Sequence, residues 1–290
     1  MTHTQQQKVN EYYRATAFDY RTFWTGKNDL AIHFGYWDAS VKTHAASLLR
    51  MNQVLSQRAA IQAGDHVLDA GCGYGGSSVW LARTIGCTVT GIAIVPFQIE
   101  KAKRHAHTQG VEQQTTFWVQ DYTATNFPST SFEVVWALES VVHAQSKQTF
   151  LQEAYRLLKP GGRVIMAEYT LRDAPRLTPT EQQLLQPWLE GWAMPNLLPA
   201  SAYRALMTEV GLRQVIVDDI TPYVRPSLRR LGWLSLAMLP FVSCLWHGAK
   251  GLGLPDWFSQ TRYRNVLGSV AQYRALNRKL WTYSLILGQK

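Results

Sequence analysis

Residues 67–76 read V-L-D-A-G-C-G-Y-G-G, an apolar run and an acid leading into four glycines in six positions. Glycine crowding between a strand and a helix lets the backbone close on a ligand, and phosphate is a common occupant of such a turn. The dinucleotide fingerprint G-x-G-x-x-G, however, carries no acid two residues ahead of its first glycine. Here the order is D-x-G-x-G-x-G-G, and Asp69 repels a pyrophosphate and attracts an ammonium. The glycines therefore suit a flat, uncharged ligand face, and the acid suits an amine. A second pair, Glu139 and His143 in A-L-E-S-V-V-H-A (137–144), stands four apart, on one face of a helix if a helix begins there. Histidine is the side chain best poised to take a proton near neutral pH, and a glutamate can orient it or stabilise a developing cation. The plainer alternative for His143 is a neutral core histidine held by hydrogen bonds.

Such residues need a scaffold, and the apolar period supplies one by alternating between strand-like and helix-like from residue 66 to 220. Strands are predicted at 66–70, 88–93, 115–119, 132–138, 163–168, 214–220 and 281–287. Helices are predicted at 77–84, with Ser77 or Ser78 as its cap, and at 99–106, 147–158 and 200–210, with a P-G-G turn before the fifth strand. This alternation predicts an α/β, Rossmann-like, doubly wound sheet covered by helices on both faces. Ligands of such sheets bind beyond the carboxyl ends of the strands where the winding reverses, which directs attention to residues just after positions 70, 93, 119 and 138. Roughly sixty residues separate the last two strands, too many for a plain connection. The chain is thus divided into an N-terminal helical lid (1–55), a core (56–221), an apolar helical cap inserted before the last strand (222–278) and the final core strand (279–290). Both appendages are rich in aromatic residues, among them Tyr12, Tyr13, Phe34, Trp233 and Phe241.

The 290 residues include eleven Trp and are 46% hydrophobic but only 17% charged, a globular composition with apolar surface to spare for a ligand. The net charge of +9 is scattered, with no dense basic run, so a nucleic-acid partner is not expected. The richest basic stretch, Arg225, Arg229 and Arg230, lies beside the apolar segment 231–247, which suits a membrane surface or an acidic ligand better. That segment is somewhat short for a span and holds Pro240, so it lies on a bilayer or lines a pocket, and peripheral membrane contact is expected through 228–254. Three cysteines without paired spacing and a polar N-terminus place the protein in a reducing, cytoplasmic compartment, with membrane association as the variant. No metal site is expected, because His105 and His107 are two apart on a predicted helix and diverge.

With these residues in view, the chain resembles the class I S-adenosylmethionine-dependent methyltransferases. V-L-D-A-G-C-G-Y-G-G is similar to that family's first motif, F-W-V-Q-D-Y (117–122) to its adenine-contacting segment, and R-L-L-K-P-G-G-R-V (156–164) to the signature entering the fifth strand. The three occur in the right order and spacing over roughly 60–240, which is far more specific than a lone glycine pattern. The resemblance implies seven strands with the last antiparallel, S-adenosyl-L-methionine as cofactor and S-adenosyl-L-homocysteine as product. It implies Gly71, Cys72, Gly73 and Gly75 around the methionine half, with Asp69 supporting the turn and the amino group. Asp121 or Tyr122 would meet the adenine, Leu138 would close the fourth strand against the cofactor, and Tyr20 would face its carboxylate.

One departure is informative. The family usually ends its second strand with an acid that holds the ribose hydroxyls, yet G-I-A-I-V-P-F-Q (91–98) has Ala93 there. The stretch resembles the pattern of a subgroup of sterol, tocopherol, terpenoid and sugar methyltransferases in which a glutamine opening the next helix takes that role. Gln98 matches, and Val95 replaces the subgroup's serine. E-S-x-x-H at 139–143 and H-F-G-Y-W at 33–37 point to the same subgroup, with His33, Tyr36, Trp24 and Trp192 expected on the lid and substrate side. The function implied is methyl transfer to a lipophilic small molecule, a terpenoid or prenylated quinol, at carbon, with His143 as the base and Glu139 beside it. N- or O-methylation of an alkaloid, polyketide or sugar is the alternative within the class. A degenerate binding scaffold, with Ala93 as the lesion, is the alternative outside it. The amino-methylating enzymes of nucleic acids carry an N/D-P-P-Y segment after the fourth strand, which this chain lacks. The sequence sets no oligomeric state.

Overall fold

The computed structural model describes residues 1–24, 30–173, 176–251 and 257–290, so 25–29 of the predicted lid and 252–256 of the predicted cap lie outside the described residues. Seven strands form one sheet: β1 (His66–Ala70), β2 (Thr88–Ala93), β3 (Thr115–Val119), β4 (Phe132–Leu138), β5 (Leu158–Leu171), β6 (Arg213–Asp219) and β7 (Trp281–Gln289). Their order is β3-β2-β1-β4-β5-β7-β6, with β7 antiparallel to both neighbours and the remaining pairs parallel. The fold is therefore the Rossmann-like, doubly wound sheet with an antiparallel last strand. The winding reverses between β1 and β4, which lie side by side, and the crevice beyond their carboxyl ends is where such a sheet takes its ligand.

Alternation along each strand sends successive side chains to opposite faces. Val67, Val89, Val134 and Ile165 pack with α2 (His44–Arg58), α3 (Gly76–Ile85) and α4 (Pro96–Thr108). Leu68, Ile92, Val135 and Val164 pack on the other side with α5 (Lys147–Leu157) and α7 (Ala200–Glu209). The remaining helices, α1 (His3–Asp19) with the π-helical turn Tyr20–Trp24, α6 (Pro179–Gly191), α8 (Thr221–Gly251) and α9 (Trp257–Asn277), join the first core cluster, and all of them but α6 roof the strand ends. A capping box, Thr178 with Glu181, starts α6.

Two local expectations change. The fifth strand is longer than 163–168: Leu158 pairs with Phe132 and Arg163 with Val134, so the P-G-G residues form a bulge on the β4 side while Gly161 and Gly162 bond to Lys290 on the other. Neither Ser77 nor Ser78 caps α3. Its N-cap is Gly75 at φ +80°, while Ser78 turns its hydroxyl to Asp69 (2.5 Å) and Ser77 to Asn52 (2.9 Å). The first turn of α3 thus keeps its N–H groups free of a side-chain cap where Gly76 and Ser77 meet the cavity.

The turn after β1 is possible only because Gly71 has no side chain. Its φ is +95°, and a Cβ would stand 2.3 Å from the Cβ of Ser140, which follows β4. Ser140 in turn donates to the Ala70 carbonyl (2.5 Å), tying the two strand ends together. Gly71→Ala should destabilise the protein by at least about 2 kcal/mol in urea unfolding. Adding Ser140→Gly should recover the steric part of that loss and leave the backbone part; full recovery would show that the left-handed φ is not required.

Candidate functional site

The strand ends and the roof enclose one continuous cavity of about 260 Å³. Its floor is built by the loops after β1, β2 and β4, and its roof by α1, residues 30–34, α8 and α9. One half presents backbone and polar groups and the other aromatic and aliphatic side chains.

In the polar half, Asp69, Gly71, Cys72 and Gly73 line the wall, and Gly75 sits one step back as the α3 cap. Burial raises the Asp69 carboxyl to about 7, with the Ser78 hydroxyl and N–H pulling the other way. A ligand ammonium beside it would hold it ionised. Ala93 ends β2 at the cavity with no acid to offer. Gln98, in the first turn of α4, is only 2% exposed, lines the cavity, and its Nε2 has no partner among the described residues. A buried amide left without a partner is costly, so this donor fits a ribose hydroxyl at the place the missing acid would have served. Tyr122 also lines the cavity and donates from its hydroxyl to the Ser140 carbonyl (2.8 Å). Asp121 does not line it. Its carboxylate accepts from the Thr123 N–H (2.8 Å) and hydroxyl (2.7 Å) and pairs with Met1, whereas Tyr122 lines the cavity on the side where an adenine contact is expected. These features fit S-adenosylmethionine, with Gln98, Asp69, the glycine backbone and Tyr122 to hold it.

The turn after β4 departs from the expected helix. Glu139 adopts φ +52° and only Val141–His143 form a 3-10 turn, so Glu139 and His143 point apart instead of sharing a helical face. Glu139 stays open to the cavity on one side and accepts three hydrogen bonds on the others: Phe34 N–H (2.6 Å), Tyr283 hydroxyl (2.6 Å) and a short bond from the Tyr169 hydroxyl. Burial raises its carboxyl to about 7, against the pull of these three donors. His143 is oriented by other groups. Its Nδ1 lies 3.3 Å from the Ala193 carbonyl, which can only accept, so Nδ1 carries the proton and Nε2 accepts from the Tyr13 hydroxyl at 3.1 Å. Burial lowers its pKa to about 4, so the ring is neutral at physiological pH.

The turn is clamped from beneath. Glu168, fully buried near the end of β5, accepts from the Ser140 and Val141 N–H groups (2.9 and 2.6 Å). Lys147, buried at the start of α5, donates to the carbonyls of Val142 (3.1 Å) and Ala144 (2.8 Å), and to that of Asn196 (3.1 Å). Burial shifts both toward their neutral forms, Glu168 up to about 8 and Lys147 down to about 8.

Leu138, Tyr20, His33, Trp24 and Trp192 line the cavity as well. Tyr20 shares a hydroxyl contact with Tyr12 (2.6 Å), and Trp24 donates to the His33 carbonyl (3.1 Å). His33 donates from Nδ1 to the Phe34 carbonyl (2.9 Å) and burial lowers its pKa to about 4. Tyr36 does not reach the cavity: it stacks on Tyr223 in the first turn of α8 (4.5 Å, 11°), and Phe34 lines the cavity instead. Tyr13, Tyr169, Tyr283, Lys147 and Glu168 were not identified from the sequence as site residues. Tyr169 and Tyr283 are directly paired across β5 and β7, a register that no local pattern reveals, whereas Glu168 closes the run R-V-I-M-A-E as an acid at a strand end, a signal that could have been read.

Comparison with known proteins identifies the family and the fold. Residues 68–166 match the model of a methyltransferase domain. The 27-O-demethylrifamycin SV methyltransferase of Amycolatopsis mediterranei is 30% identical over 227 residues, covering 78% of this chain and 81% of that protein. The sterol 24-C-methyltransferase of Eremothecium gossypii is 30% identical over 222 residues, covering 75% of this chain and 55% of that one. Among solved structures, the [4+2]-cyclase SpnF superposes with a TM-score of 0.78 at 20% identity, over 99% of this chain and 96% of that one, a likeness of fold.

Gln98→Ala should weaken S-adenosylhomocysteine binding about ten- to a hundredfold by calorimetry, and Gln98→Glu should keep most of the affinity; unchanged binding in the alanine variant would remove the ribose role. The buried carboxyls give a second expectation. Asp69, Glu139 and Glu168 have folded pKa values above their unfolded ones, so the stability they favour is present at low pH and lost as pH rises through about 7 to 8. The depressed His33 and His143 oppose this only below their unfolded pKa, about 6.5. Stability of the ligand-free protein should therefore fall from about pH 6.5 to 8. Glu168→Gln, which keeps the acceptor for Ser140 and Val141, should flatten that fall; an unchanged slope would contradict the assignment.

Proposed function

The chain belongs to the class I S-adenosylmethionine-dependent methyltransferases of small molecules, and from that premise we propose that its acceptor is a lipophilic molecule of terpenoid or prenylated-quinol type, methylated at carbon. The observation that carries this reading is the acceptor half of the cavity. Phe34 lies within 6.5 Å, ring centre to ring centre, of Tyr169, Trp192 and Tyr283. Leu231, Leu234, Met238 and Val242 of α8 and Val266 of α9 continue the apolar wall. A sugar would find few partners there.

When bound, S-adenosylmethionine supplies a methyl already activated on a sulfonium. The chain's own part is then alignment, exclusion of water, and the handling of charge and a proton. Methylation of an alkene or aromatic carbon leaves positive charge on the acceptor. Aromatic faces stabilise such charge by ~0.5–2 kcal/mol each, and Glu139, fixed by Tyr169, Tyr283 and the Phe34 N–H, stands as an anionic pole facing the cavity. The proton lost from the acceptor carbon has a route: it passes to the Tyr13 oxygen as the phenol proton moves to Nε2 of neutral His143. In this reading His143 remains the base, reached through Tyr13, and Glu139 serves the cation instead of orienting the ring.

The rifamycin relative's name supports a second reading, O-methylation of a large apolar polyketide, in which the same Tyr13–His143 pair would take a hydroxyl proton. The thiols Cys72 and Cys87, buried and unpaired, and Cys244, exposed and unpaired, suit a reducing, cytoplasmic compartment.

Incubation with methyl-labelled cofactor and a panel of prenyl diphosphates, prenyl quinols, polyketides and alkaloids should give label on carbon of a lipophilic acceptor. Label on oxygen would favour the second reading, and turnover confined to sugars would overturn both. His143→Ala and Tyr13→Phe should each lower kcat by about 10²–10⁴ with cofactor affinity intact. At saturating cofactor, kcat should rise with pH through about 7 as Glu139 ionises, and Glu139→Gln should abolish that limb; a Glu139→Gln enzyme with wild-type kcat would show that the carboxylate is not used.

A further inference from the structure

We infer that the outer face of α8 is a docking surface for an anionic lipid bilayer, on which the helix lies flat while its inner face lines the acceptor cavity. Among the described residues α8 is the one helix long and apolar enough to cross a membrane. Its packing forbids a span. The Ser227 hydroxyl accepts from the Trp37 indole (2.8 Å) and the Gly35 N–H (3.2 Å), and a Cβ on Gly232 would stand 2.7 Å from the Tyr273 ring. One side of the helix is thus fastened to the protein, and on that side Leu231, Leu234, Met238 and Val242 reach the cavity.

The opposite side is unusually apolar for a free surface. Trp233 is 64% exposed and Leu236 38%, both facing away from the cavity, and Phe241 (60%) and Leu245 (48%) are exposed further along the C-terminal half of the helix. Not one of the 31 residues of α8 is acidic. Arg225, Arg229 and Arg230 stand exposed at one end and Lys250 at the other. The Arg230 guanidinium donates to the Phe23 carbonyl (3.1 Å), which sets another exposed ring beside the helix. Aromatic and aliphatic side chains flanked by cations and free of acids match the headgroup region of an anionic leaflet, where rings enter the acyl boundary and arginines meet phosphate and carboxylate groups. A protein partner of ordinary surface charge would leave those arginines without a matching partner.

The use of such a surface rests on the lipophilic reading of the acceptor, since a molecule dissolved in the bilayer would have only the thickness of one helix to pass. The surface itself is tested without donor or acceptor. Flotation of the full chain with vesicles of phosphatidylcholine doped with phosphatidylserine should show binding that weakens with salt, and vesicles of phosphatidylcholine alone should bind less. The Trp233→Ser, Phe241→Ser double variant should lose at least about tenfold in partitioning. Arg229→Glu with Arg230→Glu should abolish the preference for anionic vesicles. Both should keep wild-type affinity for S-adenosylhomocysteine, which reports an intact fold. Absence of binding to both vesicles would overturn the proposal, as would a concentration-dependent dimer that Trp233→Ser dissolves, because a second copy would then cover the face. Vesicle binding with turnover only on sugars would leave the surface standing and remove the lipophilic acceptor.

Discussion

The site depends on the burial of Glu168 beneath the turn that follows β4. A carboxyl with no surface exposure, accepting from two consecutive N–H groups, fixes Ser140 and Val141, and Lys147 holds the carbonyls on the far side of the same turn. Removing one such partner strands the other's polar groups in the interior. The consequences run outward from that clamp. Ser140 is brought so close to Gly71 that no other residue fits there, which shapes the loop after β1. Glu139 is driven into a left-handed backbone that aims its carboxylate at the tyrosines of β5 and β7. The glycine loop after β1 and the Glu139 carboxylate are thus positioned by one and the same turn.

The two halves of the cavity divide the physical work. The polar half offers backbone, one acid and one amide, the groups the proposed reading assigns to a cationic nucleoside, and at the β2 end it presents Ala93 and the buried Gln98 amide with no carboxylate. The apolar half offers ring faces and little polar surface, so in the proposed carbon methylation a charge appearing there would meet Glu139 across a medium of low dielectric. Burial keeps His143 neutral and Glu139 near its midpoint at physiological pH, so the proposed proton acceptor is unprotonated and the proposed cation-facing carboxyl is half ionised.

Much of this was legible in the sequence. The bounds of the first four strands follow from short apolar runs ended by glycine, polar residues or proline, and the glycine turn, Ala93 and Gln98 lie within single local segments. What was not legible depends on register or on backbone strain. The pairing of Tyr169 with Tyr283 joins residues more than a hundred positions apart. The left-handed φ of Glu139 breaks the helical spacing that would have put it beside His143, and Tyr13 reaches His143 from a helix whose docking no periodicity sets. Asp121 and Tyr36 are side chains of plausible type that pair elsewhere, with Met1 and with a stacked tyrosine, and do not line the cavity.

The central claim, that Gln98 replaces the ribose acid and that an aromatic acceptor space opens above Glu139, is tested most directly by a crystal structure with S-adenosylhomocysteine bound. The account predicts the Gln98 amide nitrogen within hydrogen-bond distance of a ribose hydroxyl, the amino group beside Asp69, and the thioether sulfur facing a space bounded by Phe34, Tyr169 and Trp192. A ribose held by another side chain with Gln98 turned away, or a sulfur directed away from Glu139, would contradict it.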